Sequence, residues 1–228
     1  MTRFLLITRS FVIRQQGNGH FALWLTDLSI SEVNVSDLLQ QLNHELAAVA
    51  EKAQRGLVSI SNGRRGAGAG TIWHPEGLIL TNAHVVQLRS PKVTLPDGRT
   101  SPARVLAHDK ELDLAVLRVD AADLPTIELG ESQRLQPGQW VLAVGHPWGV
   151  AGAATAGVVI GLGPPPEMDM PGRELIHVSL HLRPGHSGGP LVDTGGRLVG
   201  INTMMAGPDV GLAVPVHVVK AFLRQALA

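Results

Sequence analysis

The stretch Arg183-Pro184-Gly185-His186-Ser187-Gly188-Gly189-Pro190 wraps one hydroxyl in residues that turn the chain and add little bulk. Glycine lets backbone approach a ligand closely and adopt positive φ, and proline fixes the chain on either side. A loop of this make-up can be a plain turn. It can also hold Ser187 in the open and aim bare backbone N–H groups at whatever the hydroxyl attacks, as acyl transfer requires. For that chemistry the hydroxyl needs a base to take its proton, and the base needs a partner that fixes its tautomer.

Two upstream stretches supply those parts. Thr81-Asn82-Ala83-His84-Val85-Val86 puts a histidine at a strand end in an apolar setting, with Ala83 beside it leaving room for a partner. Asp113-Leu114-Ala115-Val116-Leu117 heads a β run with a carboxylate, and a buried carboxylate needs a donor to offset its desolvation. A histidine Nδ1–H is such a donor. The assignment is Ser187 as nucleophile, His84 as general base and then acid, and Asp113 as the orienting carboxylate. The N–H groups of Gly185 and Ser187 would form an oxyanion hole.

The elements that must position these residues are mostly β. The chain has 26 glycines and 15 prolines spread along 228 residues, a composition that suits short strands between tight turns. Residues 1–35 alternate apolar patches with polar residues and read as an arm, an edge strand or a hairpin. Leu38, Leu42, Leu46 and Val49 recur at helical spacing between Ser36, a candidate N-cap, and Gly56, predicting an amphipathic helix with one buried stripe and His44 facing solvent. Short β runs follow from Leu57 to Val119, then a linker around 120–125, then a second set from Gln139 to Val214. Residues 163–172 hold four prolines and read as an exposed loop, a candidate for regulation. His217 to Leu227 has helical spacing and ends the sequence.

The three stretches around His84, Asp113 and Ser187 resemble the histidine, aspartate and serine boxes of trypsin-like serine proteases, and more closely those of the HtrA (Deg) protease domain. Their order matches, and the intervals of 29 and 74 residues are similar to those of the family. Gly145-His146-Pro147-Trp148-Gly149, Gly200-Ile201-Asn202-Thr203 and Gly211-Leu212-Ala213-Val214-Pro215 extend the similarity from about residue 36 to the end.

The resemblance implies an all-β fold of two antiparallel six-stranded, chymotrypsin-like β-barrels, with an N-terminal and a C-terminal helix. The protease domain would span 36–228, its first barrel about 57–120 and its second about 126–216, with 1–35 as an arm. It implies a cofactor-free endopeptidase that cleaves unfolded or damaged polypeptides through an acyl-enzyme. A homotrimer is implied by the family alone. HtrA-type proteins commonly add a PDZ domain, which this sequence is expected to lack. The alternative is a protease-fold chaperone or protein-binding module with weak turnover.

One position departs from the pattern. The family usually has asparagine before the serine, where this sequence has His186; it is either a harmless loop residue or one that tilts the oxyanion loop and makes activity pH-sensitive. By analogy His181 lies near the base of the specificity pocket, with Thr203, Met204, Met205 and Gly211 on its walls. With no carboxylate among them, a small to medium apolar residue is expected before the scissile bond, an acidic one being the alternative.

Composition excludes other classes. Basic and acidic residues balance at 19 each, so no electrostatic footprint for nucleic acid appears. There is no cysteine, which removes disulfides and cysteine-ligated zinc. No apolar run is long enough to span a membrane. His20, His74, His108, His146, His177 and His217 are scattered, without metal-ligand spacing, and read as surface or packing residues. No signal peptide is read at the N-terminus, which favours the cytoplasm without fixing the compartment.

Overall fold

Short apolar runs bounded by turn residues pair here into two antiparallel β systems. In a computed structural model of the chain, residues 3–16, 20–61, 67–165 and 172–226 are described, with side chains over 35–61, 68–165 and 172–226. The greater part of the loop expected at 163–172 therefore lies outside the described residues.

The N-terminal residues form a hairpin of β1 (Arg3–Gln16) and β2 (His20–Asn34), antiparallel, with a bulge between Ser10 and Phe11. Helix α1 (Val35–Arg55) follows directly. Met1–Ala47 and Ala48–Ala228 are separate compact units. The apolar stripe expected on α1 is buried only at its C-terminal end. Leu38 is 58% and Leu42 45% exposed, whereas Val49 and Ala53 are buried. In the last turns of the helix Lys52 Nζ donates to Gly195 O at 2.9 Å and Gln54 Nε2 to Gly152 O at 2.7 Å.

The first β system contains β3 (Leu57–Ser61), β4 (Ala67–His74), β5 (Leu78–Thr81), β6 (Lys92–Thr94), β7 (Thr100–Pro102), β8 (Arg104–Asp109) and β9 (Leu114–Arg118). Its order is β7-β6-β3-β4-β5-β9-β8, a seven-stranded sheet. The two edge strands are consecutive in sequence with Ala103 alone between them, so the sheet returns on itself through the covalent chain. Counted as one bent strand, 100–109 gives the six strands expected. Val58, Ile60, Ile72, Ile79, Val93 and Leu117 fill its interior.

The second system contains β10 (Trp140–Gly145), β11 (Ala153–Gly163), β12 (Leu175–Ser179), β13 (Pro190–Asp193), β14 (Leu198–Met205) and β15 (Gly211–Pro215). It closes as a barrel in the order β10-β11-β12-β15-β14-β13, around Val141, Ile176, Val178, Leu191 and Ala213. Helix α2 (Val216–Ala226) buries Val216, Val219, Phe222 and Leu223, the spacing of one helical face. No helix among the described residues is long and apolar enough to cross a membrane.

Candidate active site

His84 is presented by a single 3-10 turn, Ala83–Val85, at the end of β5. Ala83 and Val85 are buried and anchor the turn, leaving the imidazole between them 48% exposed. Asp113 sits immediately before β9 in the left-handed region, φ 54°, which an aspartate tolerates better than most residues. The buried Asn82 holds it there, donating Nδ2–H to Asp113 O at 3.0 Å.

The Asp113 carboxylate is almost wholly covered yet well supplied with donors. It accepts the His84 backbone N–H at 3.0 Å, His84 Nδ1–H at 2.9 Å to Oδ2 and 3.0 Å to Oδ1, and Thr203 Oγ1–H at 2.6 Å. Burial alone would raise its pKa, but the bonds from His84 and Thr203 outweigh it and hold the carboxyl below its ordinary value. With Nδ1–H committed to Asp113, the basic lone pair of His84 is on Nε2.

Ser187 comes from the other β system, in the loop before β13. Its Oγ donates to Thr203 O at 2.9 Å, so Thr203 touches Asp113 with its hydroxyl and Ser187 with its carbonyl. The loop is bound to the first sheet through main chain, Ala69 N–H donating to Ser187 O at 2.8 Å. Gly188 has φ 83°, and a Cβ there would run into Thr81 Oγ1 and Ala69 O.

Three successive peptide planes of the loop are pinned through their carbonyls. Trp148 N–H donates to Pro184 O at 3.3 Å, His146 N–H to Gly185 O at 2.9 Å, and Gly189 N–H to His186 O at 2.9 Å. In a trans peptide the N–H points opposite to the C=O. The first and third bonds therefore turn the N–H groups of Gly185 and Ser187 the other way, where neither has an acceptor among the described residues. Gly185 has φ 106°, and a Cβ would meet the His146 carbonyl.

The sequence marks 145–149 as a stretch shared with the family but not as a buttress of this loop. Gly145 has no Cβ because one would lie 2.7 Å from both Gly185 O and His186 Cα. Trp148 adopts φ 52°, and the Arg183 guanidinium stacks 4.4 Å from its ring centroid. His186 is buried, with 3% of its surface exposed. Its backbone N–H donates to Arg183 O at 2.9 Å and its Nδ1 accepts Arg183 N–H at 3.0 Å. Its Nε2 is buried without a partner, as is that of His146. Burial pushes both pKa values below their ordinary value; for His186 a hydrogen bond with the Arg183 backbone opposes it and the charges of Arg183 and His146 add to it, while for His146 a contact with the Val58 backbone opposes it. An unpaired buried donor costs about 1–3 kcal/mol.

The residues expected to line the specificity pocket divide. Met204, Met205 and Gly211 lie on paired strands, with Met205 opposite Gly211 and its Sδ accepting Leu182 N–H at 3.1 Å. A Cβ on Gly211 would touch Leu180 and Leu182, so the strand lies flat against the 180–182 segment that carries His181. Thr203 spends its hydroxyl on Asp113. The expectation that no carboxylate lies near His181 is corrected: Asp209 Oδ1 is 3.4 Å from His181 Nδ1. Those residues are 28 positions apart, a proximity created by the β14–β15 connection. Of the scattered histidines, His108 Nε2 contacts Ala83 O at 3.1 Å and His217 Nδ1 pairs with Ser132 Oγ at 2.8 Å, both packing roles.

Comparison with known proteins shows the family of the chain. The Trypsin-like peptidase domain family matches residues 68–201. A putative serine protease HhoB from Synechocystis sp. is 40% identical over 159 residues, covering 67% of this chain and 38% of that protein. The mitochondrial serine protease HTRA2 of Drosophila pseudoobscura pseudoobscura is 38% identical over 166 residues, 70% of this chain and 39% of its own. The solved structure of the HtrA-type protease AlgW with a tripeptide superposes with a TM-score of 0.73 at 32% identity, over 78% of this chain and 62% of that one. The chain thus spans about two-fifths of the length of the curated relatives it matches. With a trypsin-like domain across its two β systems and HtrA-type proteases among its relatives, the chain belongs to the trypsin-like peptidase family.

Proposed function

We propose that the chain is a serine endopeptidase acting through an acyl-enzyme, with His84, Asp113 and Ser187 as its triad. The observation that carries this is the convergence, from two separate β systems, of a carboxylate-held His84 and a Ser187 whose loop leaves the N–H groups of Gly185 and Ser187 without an acceptor among the described residues. On substrate binding Ser187 Oγ leaves the Thr203 carbonyl for His84 Nε2, which takes its proton as the oxygen attacks the scissile carbonyl. The new oxyanion is met by the N–H groups of Gly185 and Ser187. His84 then gives the proton to the departing amine, and a water repeats the sequence to release the acid. Asp113 keeps its charge throughout and balances the imidazolium.

The substrates we propose are unfolded or damaged polypeptides, cleaved after a small to medium apolar residue. The assembly we propose is a homotrimer, supported by the exposed Leu38, Leu39 and Leu42 on α1. The deciding experiment is degradation of unfolded casein together with fluorophosphonate labelling. The wild type is expected to do both and Ser187→Ala neither; undiminished labelling of Ser187→Ala removes the nucleophile, and a folded wild type that does neither leaves a binding module.

A further inference from the structure

We propose that His186 is a positioning residue for the oxyanion hole, and that it works only as the neutral imidazole whose Nδ1 accepts the Arg183 N–H. The inference rests on the serine-peptidase reading above and adds to it a proton-controlled support of this chain's own.

The geometry is a doubly closed turn. Arg183 and His186 exchange two hydrogen bonds, His186 N–H to Arg183 O at 2.9 Å and Arg183 N–H to His186 Nδ1 at 3.0 Å. The turn encloses Pro184 and Gly185, whose shared peptide presents the Gly185 N–H. That N–H stays aimed at the substrate only while the turn keeps its shape and Pro184 O stays on Trp148 N–H. A side chain without an acceptor at the Nδ1 position leaves Arg183 N–H unsatisfied at one end of the turn.

Protonation reverses the sense of the contact. A proton on Nδ1 faces the Arg183 N–H, donor against donor, and its nearest acceptor is Arg183 O, 3.2 Å away and already holding the His186 N–H. The charged and titratable groups facing the ring are Arg183 on its own loop and His146 just beyond β10; neither can carry a compensating negative charge. His146 is tied to the same turn, since its backbone N–H holds Gly185 O. Nothing among the described residues supplies a carboxylate to hold a His186 imidazolium in place. Acid therefore removes the neutral acceptor that shapes the turn, and the hole loses its donor while Ser187, His84 and Asp113 stay in position.

The test follows kcat/KM and the rate of fluorophosphonate labelling against pH in wild type, His186→Asn and His186→Leu. Asparagine offers an acceptor where Nδ1 stands but does not titrate. Wild type is expected to lose activity in acid with a slope of two protons, one of them that of His186. His186→Leu is expected to lose about a hundredfold in kcat at every pH with KM little changed, the size of effect seen when an oxyanion donor is removed. His186→Asn is expected to recover most of that loss and to show a slope of one. A wild-type slope of one shared by His186→Asn, or full activity in His186→Leu, overturns the proposal. Should His186→Leu fail to fold, the comparison of slopes between wild type and His186→Asn still decides. A wild type never labelled at any pH sinks the peptidase reading instead. Nitrogen-15 NMR of the histidines in Ser187→Ala remains informative in that case: a neutral His186 protonated on Nε2 at pH 7 is expected, and an imidazolium there overturns the inference.

Discussion

Thr203 Oγ1 lies 2.6 Å from Asp113 Oδ2, and the carbonyl of the same threonine accepts the Ser187 hydroxyl at 2.9 Å. One residue of β14 therefore bridges the Asp113 carboxylate of one β system and the Ser187 hydroxyl of the other. Thr203→Ala removes a hydrogen bond to a buried charge, worth about 1.5–3 kcal/mol. The expected result is a fall in kcat of roughly tenfold to a hundredfold, with Thr203→Ser close to wild type. Steady-state kinetics on one peptide substrate checks both, and a fully active alanine variant would mean the bond orients nothing.

Gly185→Ala combines a positive φ with a Cβ directed at the His146 carbonyl. The loop must turn to relieve that contact, taking the N–H with it. A loss of about 10²–10³ in kcat is expected while KM stays within severalfold. Active-site titration separates this from misfolding, because the fraction of protein with a reactive Ser187 would be preserved while acylation slows.

Stability should fall in acid through two windows. His146 and His186 have folded pKa values below the ordinary one, so as pH drops below roughly 6.5 the unfolded chain takes up protons first. Their contribution is complete above that pH and drains below it. The depressed Asp113 pKa acts further down: its stabilisation is present above the unfolded carboxyl value of roughly 3.9 and is lost as pH falls through the folded one. Calorimetric melts should show Tm level near neutrality, falling below about pH 6.5 and falling again below about pH 4; His186→Asn should soften only the first decline. A Tm that rises between pH 7 and 5 would contradict the sign.

The pairing of Asp209 with His181 bears on substrate choice. An exposed carboxylate beside His181 repels an acidic residue of the substrate at that place. A peptide library should show cleavage after small to medium apolar residues, and Asp209→Ala should raise cleavage after aspartate or glutamate relative to wild type. Cleavage confined to basic residues would reject the apolar preference.

Light scattering checks the assembly. Wild type is expected at three times the monomer mass, and Leu38→Glu with Leu42→Glu is expected to reduce it. A monomeric wild type removes the trimer.

The legible parts of this protein were those in which residue type alone limits the options. A histidine, an aspartate and a serine set among small and apolar neighbours indicate a chemistry before any fold is known, and the runs of Leu114–Leu117 or Gly211–Pro215 can be little other than buried strands. Residues whose role depends on an approach across the chain were not legible. The bond from Thr203 was one of these, because nothing local says that Asp113, 90 residues earlier, needs its hydroxyl. Asp209 was missed beside His181 for the same reason. Leu38 and Leu42 failed as core because helical spacing identifies an apolar face without saying what covers it. Bent strand 100–109 carries both edges of one sheet, a closure that only the register of β6 and β9 determines.

The bond from Ala69 N–H to Ser187 O joins the two β systems at the proposed nucleophile. Thr71 Oγ1 reaches Gly188 O one residue further on, at 3.3 Å. Turnover is thereby a gauge of how the two halves are seated on each other: a slip along this seam misaligns Ser187 against His84 while every strand keeps its ladder. Inactivation in denaturant would then run ahead of the loss of β-structure, the enzyme falling silent while still folded.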